Sequence, residues 1–201
     1  MSALRAMAQG NNNGQDSEKL FNAPWQHYEN GNQVSVGATL QAAEDRIRGN
    51  SFETGILVDS QGFVVAAYKG GAHSVSFGSE PADKFAGATV THNHPSGYPT
   101  FSVADIATPA VYARLGGKPA GMRATTRDNG TFSLRTTRQD ADWNRLATAY
   151  NRSKASIESA GYSAAARSTG RGSFRNAYIQ AHADWFAQNA PRFGFSFTWE
   201  R

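Results

Sequence analysis

Hydrophobic positions change period along the chain, and the changes mark out its elements. Val36, Leu40, Ala43 and Ile47 recur at i, i+4, i+7 and i+11, and Gly49-Asn50 closes the run, which predicts a helix beginning at Ser35. Residues 53–59 and 63–69 read as strands joined by the Ser-Gln-Gly turn at 60–62, with Ile56 and Val58 facing one way and Leu57 the other. Gly70-Gly71 permits a turn, residues 73–77 read as a third strand, and residues 87–91 as a short buried one. Ser102 begins a helix that Thr108-Pro109 interrupts. An interior proline removes a hydrogen bond, while Thr-Pro is a favoured helix start, so the expectation is a kink or two short helices over 103–107 and 109–115. Gly116-Gly117 ends the second. Residues 122–127 and 131–135 flank Asp128-Asn129-Gly130, a strong hairpin signal.

Beyond Thr136 the period is helical. Asp140, Trp143, Leu146, Ala147, Tyr150, Lys154 and Ile157 define a helix ending near Gly161, residues 163–173 read as a linker, and residues 174–189 carry a second apolar stripe. His182 lies on that helix without an assigned role. The tail at 193–199 alternates aromatics and reads as an edge strand or a partner-binding segment. At the other end, residues 1–31 are polar and Asn/Gly-rich and read as mostly disordered, with Leu20, Phe21, Trp25 and Tyr28 as a short arm able to dock. The whole predicts an α/β domain, a mixed sheet flanked by helices, over residues 32–136, followed by a helical C-terminal extension over 137–201.

Composition narrows the chemistry. The absence of cysteine excludes disulfide frameworks, thiol catalysis and cysteine zinc sites, including those of the zinc nucleobase deaminases. No apolar run reaches bilayer length and no signal peptide is legible, so the expected location is cytoplasmic, with no membrane partner. From Thr137 onward nine basic residues face five acidic ones, which accounts for the net charge of +4. These charges are dispersed, and read as a solvated helical surface rather than a nucleic-acid footprint.

The densest chemistry lies in the string THNHPSGYPTFSVADI at 91–106. A lone His-x-His is more often an ordinary loop than a ligand pair. Here, however, the two imidazoles leave the end of a strand on one face, about 6–7 Å apart at the backbone, and can converge on one zinc ion. Ser102-Val103-Ala104-Asp105 has the form of a capping box, which puts Asp105 in the first helical turn. His92, His94 and Asp105 then make three metal ligands, with a water in the fourth position, the arrangement of a catalytic zinc site.

His92-x-His94-Pro95, six residues, then Ser102-x-x-Asp105 resembles the signature of the JAMM metalloproteases, also called JAB or MPN-plus domains. The tighter string HNHPSG is most similar to the prokaryotic branch that includes RadC-like proteins. The resemblance covers roughly residues 34–134. It implies a cytidine-deaminase-like α/β fold, one bound zinc, and an upstream glutamate on a strand. Glu53, 39 residues before His92, matches that position. Glu80, in a polar loop, reads instead as a solvated charge, and His73 as a surface or substrate-side residue. By the same resemblance Glu53 is the general base and Ser102 the hydrogen-bond donor to the oxyanion or the metal water. The reaction implied is hydrolysis of a peptide or isopeptide amide, in the family often removal of ubiquitin or a ubiquitin-like protein from lysine. Two other readings stay open. One is a metal-containing interaction module of a larger assembly. The other is a RadC-like nucleic-acid-associated protein, for which only the basic tail speaks.

Overall fold

The structure is a computed structural model that describes residues 18–21, 36–78, 80–167 and 172–201. Its centre is a seven-stranded mixed sheet. The strands are β1 (Glu18–Phe21), β2 (Thr54–Val58), β3 (Val64–Lys69), β4 (Thr89–Asn93), β5 (Gly121–Thr125), β6 (Thr131–Thr136) and β7 (Phe195–Glu200). Their order across the sheet is β1-β3-β2-β4-β5-β6-β7. Every neighbouring pair is antiparallel except β4 and β5, which run parallel. A parallel pair needs a crossover, and helix α2 (Val103–Arg114) supplies it.

The sheet separates two cores. On one face α1 (Val36–Ile47) lays Ala43 and Ile47 against Ile56, Val58, Val64 and Ala67. On the other face Leu57, Val90, Met122 and Leu134 meet Ile106 of α2 and the side chains of two long helices, α3 (Trp143–Ala166) and α4 (Ser173–Asn189). The alternation of Ile56 and Val58 against Leu57 in β2 is thus the division between the two layers, as strand geometry requires. Among the described residues no helix is long and apolar enough to cross a membrane.

Several expectations change. Residues 73–77 form no strand: the outer side of β3, the strand that precedes them, is taken by β1, and β2 lies between β3 and β4. The segment instead crosses the sheet face, where Phe77 is buried edge-on to Tyr68 and Tyr112 donates to its carbonyl at 2.8 Å. Gly55 makes room for it, since a Cβ there would stand 2.6 Å from the Phe77 ring. The strand expected at 87–91 lies two residues later and includes His92. α2 is one helix with Pro109 inside it. Burial of Ile106, Ala107, Pro109, Ala110 and Tyr112 offsets the hydrogen bond that Pro109 cannot donate. α3 runs through Gly161 to Ala166, so the first part of the expected linker is helical. Glu80 is not solvated: it is 6% exposed, accepts a hydrogen bond from the Tyr68 hydroxyl and pairs with Lys84 at 3.0 Å.

The segment after Thr136 is more than a helical appendage. β7 extends the sheet beside β6, and Trp143, Leu146, Tyr150, Ile179, Phe186 and Phe195 belong to the same core as Leu57 and Val90. At the other end Leu20 and Phe21 lie in β1, which pairs with β3. The expectations for residues 1–17 and 22–31, with Trp25 and Tyr28, and for the linker at 168–171, lie outside the described residues.

Candidate metal centre

The site lies where β4 ends and α2 begins, at the carboxyl end of the parallel strand pair. This is where open α/β sheets place their ligands. β2 and β4 pair with Gly55 opposite His92, so Glu53, at the entry to β2, arrives beside the histidines. Its backbone is fixed on both sides: its N–H donates to Gly71 at 2.7 Å and its carbonyl accepts from Gly70 at 2.7 Å. His94 lies just past β4, but its N–H still donates to the Thr125 carbonyl at 2.9 Å, and the chain stays extended. The two imidazoles therefore share a face, and their Nε2 atoms lie 2.8 Å apart.

The capping box supplies the third side. Ser102 Oγ accepts from the Asp105 N–H at 3.1 Å, and Asp105 Oδ2 accepts from the Ser102 N–H at 2.6 Å. Asp105 is thereby turned back toward the strand, with Oδ1 3.3 Å from His92 Nε2 and Oδ2 3.4 Å from His94 Nε2. Glu53, His92 and His94 offer ligand atoms that all lie within 4.8 Å of one another, a group that could hold a metal ion. Glu53 is 6% and His92 2% exposed, and the Asp105 side chain 14%.

Donor chemistry and spacing fit a divalent cation. Ligand atoms on a tetrahedron with bonds near 2.05 Å stand about 3.3 Å apart, the separation Asp105 keeps from both imidazoles, whereas the two Nε2 atoms, 2.8 Å apart, have to spread by about half an ångström to admit the ion. His94 Nδ1 lies 2.7 Å from the carbonyl oxygen of Tyr98, which can only accept, so Nδ1 carries the hydrogen and Nε2 faces the site. Two imidazole nitrogens and a carboxylate converging on one point need a positive charge among them. A proton fills that need at His94. Burial would lower its pKa, but the hydrogen bond and charge of Asp105, then Glu53 and the Tyr98 carbonyl, outweigh burial and push it up to about 9. Burial likewise opposes ionisation of Asp105, and the two histidines overcome it and hold the carboxyl well below its ordinary range. Glu53 differs: burial raises its pKa, with the two imidazoles opposing.

A cavity of about 380 Å³ opens onto Glu53, His94, Ser102 and Asp105. His73 stands exposed at its edge. Three contributions had no signal in the sequence. Asn93, between the histidines, points to the opposite face and binds the backbone around Glu53. Tyr150 of α3 donates to the carbonyl of Phe101, next to Ser102, and accepts from His182 Nδ1 of α4 at 3.0 Å. Asn129, at the tip of the β5–β6 hairpin, donates to the Gly97 carbonyl at 2.6 Å and so steadies the loop after His94. Each is a contact between segments distant in sequence. His92 Nδ1 is buried without a hydrogen-bond partner among the described residues. The chain was compared with family models, with curated proteins and with solved structures, and no match was found in any of the three.

Proposed function

We propose that the protein is a zinc-dependent hydrolase of JAMM type that cleaves a peptide or isopeptide amide. The observation that carries this reading is the convergence of Glu53, His92, His94 and Asp105 from β2, β4 and α2 around one point at the floor of an open cavity. Asp105 is read as the third ligand because its carboxylate oxygens stand 3.3 and 3.4 Å from the two imidazoles, and Glu53, whose carboxylate lies within 4.8 Å of the same histidines, is assigned as the base by the resemblance. Zinc held there supplies a Lewis acid for the carbonyl and lowers the pKa of a bound water to about 7.

The chain's own groups do the rest. Glu53, buried and with a raised pKa, takes the proton of the attacking water and delivers it to the leaving amine. Ser102 Oγ accepts from the Asp105 amide, so its own hydrogen is free to be donated to the developing oxyanion. The N-cap amide of Ser102 holds Asp105 in place. A ubiquitin-like protein as the acyl partner belongs to this proposal through the resemblance alone.

Metal analysis of purified protein tests the reading. It expects about one zinc per chain, lost in Asp105→Ala and kept in Glu53→Gln, with amide cleavage lost in both. A parent without metal, or an Asp105→Ala protein with full zinc, would refute it. Zinc kept together with cleavage unaffected by Glu53→Gln would leave a metal-containing interaction module.

A further inference from the structure

Among the described residues three large hydrophobic side chains are exposed: Leu115, Tyr162 at 50% and Phe174 at 48%. Tyr162 and Phe174 are neighbours, stacked with ring centres 5.4 Å apart, and both line the cavity that ends on the candidate metal centre. Soluble proteins seldom leave rings clustered in water unless something covers them.

The helices explain the placement. Lys154, Glu158 and Tyr162 fall at i, i+4 and i+8 on one face of α3, and Phe174, Tyr178 and His182 do the same on α4. Gly161 lets these faces approach, since a Cβ there would stand 3.1 Å from the Tyr178 Cα. The Tyr178 hydroxyl donates to Glu158 at 3.1 Å, and its ring lies against Tyr162 on one side and edge-on to Tyr98 on the other. The result is a continuous row of rings, Phe174, Tyr162, Tyr178, Tyr98, running from the cavity mouth to the loop whose carbonyl orients His94.

We propose that this row is the specificity wall of the site: a cleft that receives an aromatic or large apolar side chain of a polypeptide, beside the amide presented to Glu53 and Ser102. The position of the amide rests on the reading above; the affinity of the cleft for the side chain does not. At about 380 Å³ the space suits a short extended segment. A flat nucleobase is the competing occupant, but the charges disfavour its phosphates. Lys154 is paired with Glu158 at 3.4 Å and the floor carries the carboxylates of Glu53 and Asp105, which leaves the Arg175 guanidinium, over the Tyr98 ring at 5.2 Å, as a single positive charge beside them.

The test is binding by calorimetry of N-acetylated, C-amidated Gly-X-Gly tripeptides, X being Phe, Leu, Ala or Asp, to zinc-treated Glu53→Gln protein and to chelator-treated parent. The Phe peptide is expected to bind about tenfold more tightly than the Ala peptide in both arms. Tyr162→Ala and Phe174→Ala should each reduce that preference, and the pair abolish it, with melting temperature and zinc content unchanged. Leu115→Ala, outside the cavity, should leave it intact. Equal binding of Phe and Ala peptides, no saturable binding of either at millimolar concentration, a preference that survives the double variant, or tighter binding of an oligothymidylate would overturn the proposal. Because binding is read without turnover and without metal, a protein that retains no zinc would refute the hydrolase reading while this preference is still measured.

Discussion

Asn93 grips the backbone on both sides of Glu53: its Oδ1 accepts from the Thr54 N–H at 2.6 Å and its Nδ2 donates to the Phe52 carbonyl at 3.0 Å. The residue between the two histidines thereby sets where the glutamate sits relative to them. Asn93→Ala leaves a buried donor and acceptor unpaired, at a cost of about 2–4 kcal/mol. Zinc content should be unchanged, since β4 is held by its own ladder, while kcat falls more than tenfold. Denaturant unfolding, metal analysis and steady-state kinetics on one preparation check all three, and unchanged kcat would show that Asn93 is only a structural clamp.

On the proposed function Ser102 has two separable duties. Ser102→Ala removes a helix cap worth about 1 kcal/mol and the donor to the oxyanion, worth about 10²–10³ in kcat. Ser102→Thr keeps both. Loss of stability without loss of kcat in the alanine variant would reduce the hydroxyl to its capping part.

Bound metal should stabilise the fold by mass action, about 2.7 kcal/mol when free zinc is one hundred times its Kd. Chelator should therefore lower the melting temperature of the parent by several degrees. It should leave the melting temperature of His94→Ala unmoved. A parent whose melting is indifferent to chelator would argue against a resident ion.

His182 gives the fold a pH dependence away from the metal centre. Burial first, and the charge of Lys154, push its pKa down to about 4 against the opposing charge of Glu158. The unfolded chain takes up this proton near pH 6.5 and the folded one only near 4, so stability falls as pH drops through that window. The full effect is about 3 kcal/mol. His182→Asn, which can keep a donor to Tyr150, should flatten the dependence. The check is the difference between parent and variant unfolding free energies at pH 7, 6, 5 and 4.

How much of this was legible follows from the range of each contact. His92 and His94 sharing a face, and Asp105 three residues inside a Ser102 cap, follow from strand alternation and helix capping, which act over a few residues. Glu53 reaches the histidines only through the β2–β4 pairing, and was placed by resemblance, not by local pattern. Pro109 shows in the sequence only its local cost, because the burial that outweighs it comes from distant segments. Residues 73–77 have strand-like composition, yet whether a segment finds a free edge depends on β1, nearly sixty residues earlier. The aromatic side chains of α3 and α4 read as packing surface, because nothing in a helical stripe tells a face turned to the core from one turned to a cavity.

Thr131 to Thr136 pairs with β5 on one side and with the final strand on the other. One consequence is that the candidate metal centre does not stand apart from the last third of the chain. Cutting after residue 136 would bare Phe132 and Phe101, which pack on Phe197 and Phe186, and would remove the Tyr150 hydroxyl from the carbonyl beside Ser102. An engineer wishing to transplant this centre would have to carry the last third of the chain along with it.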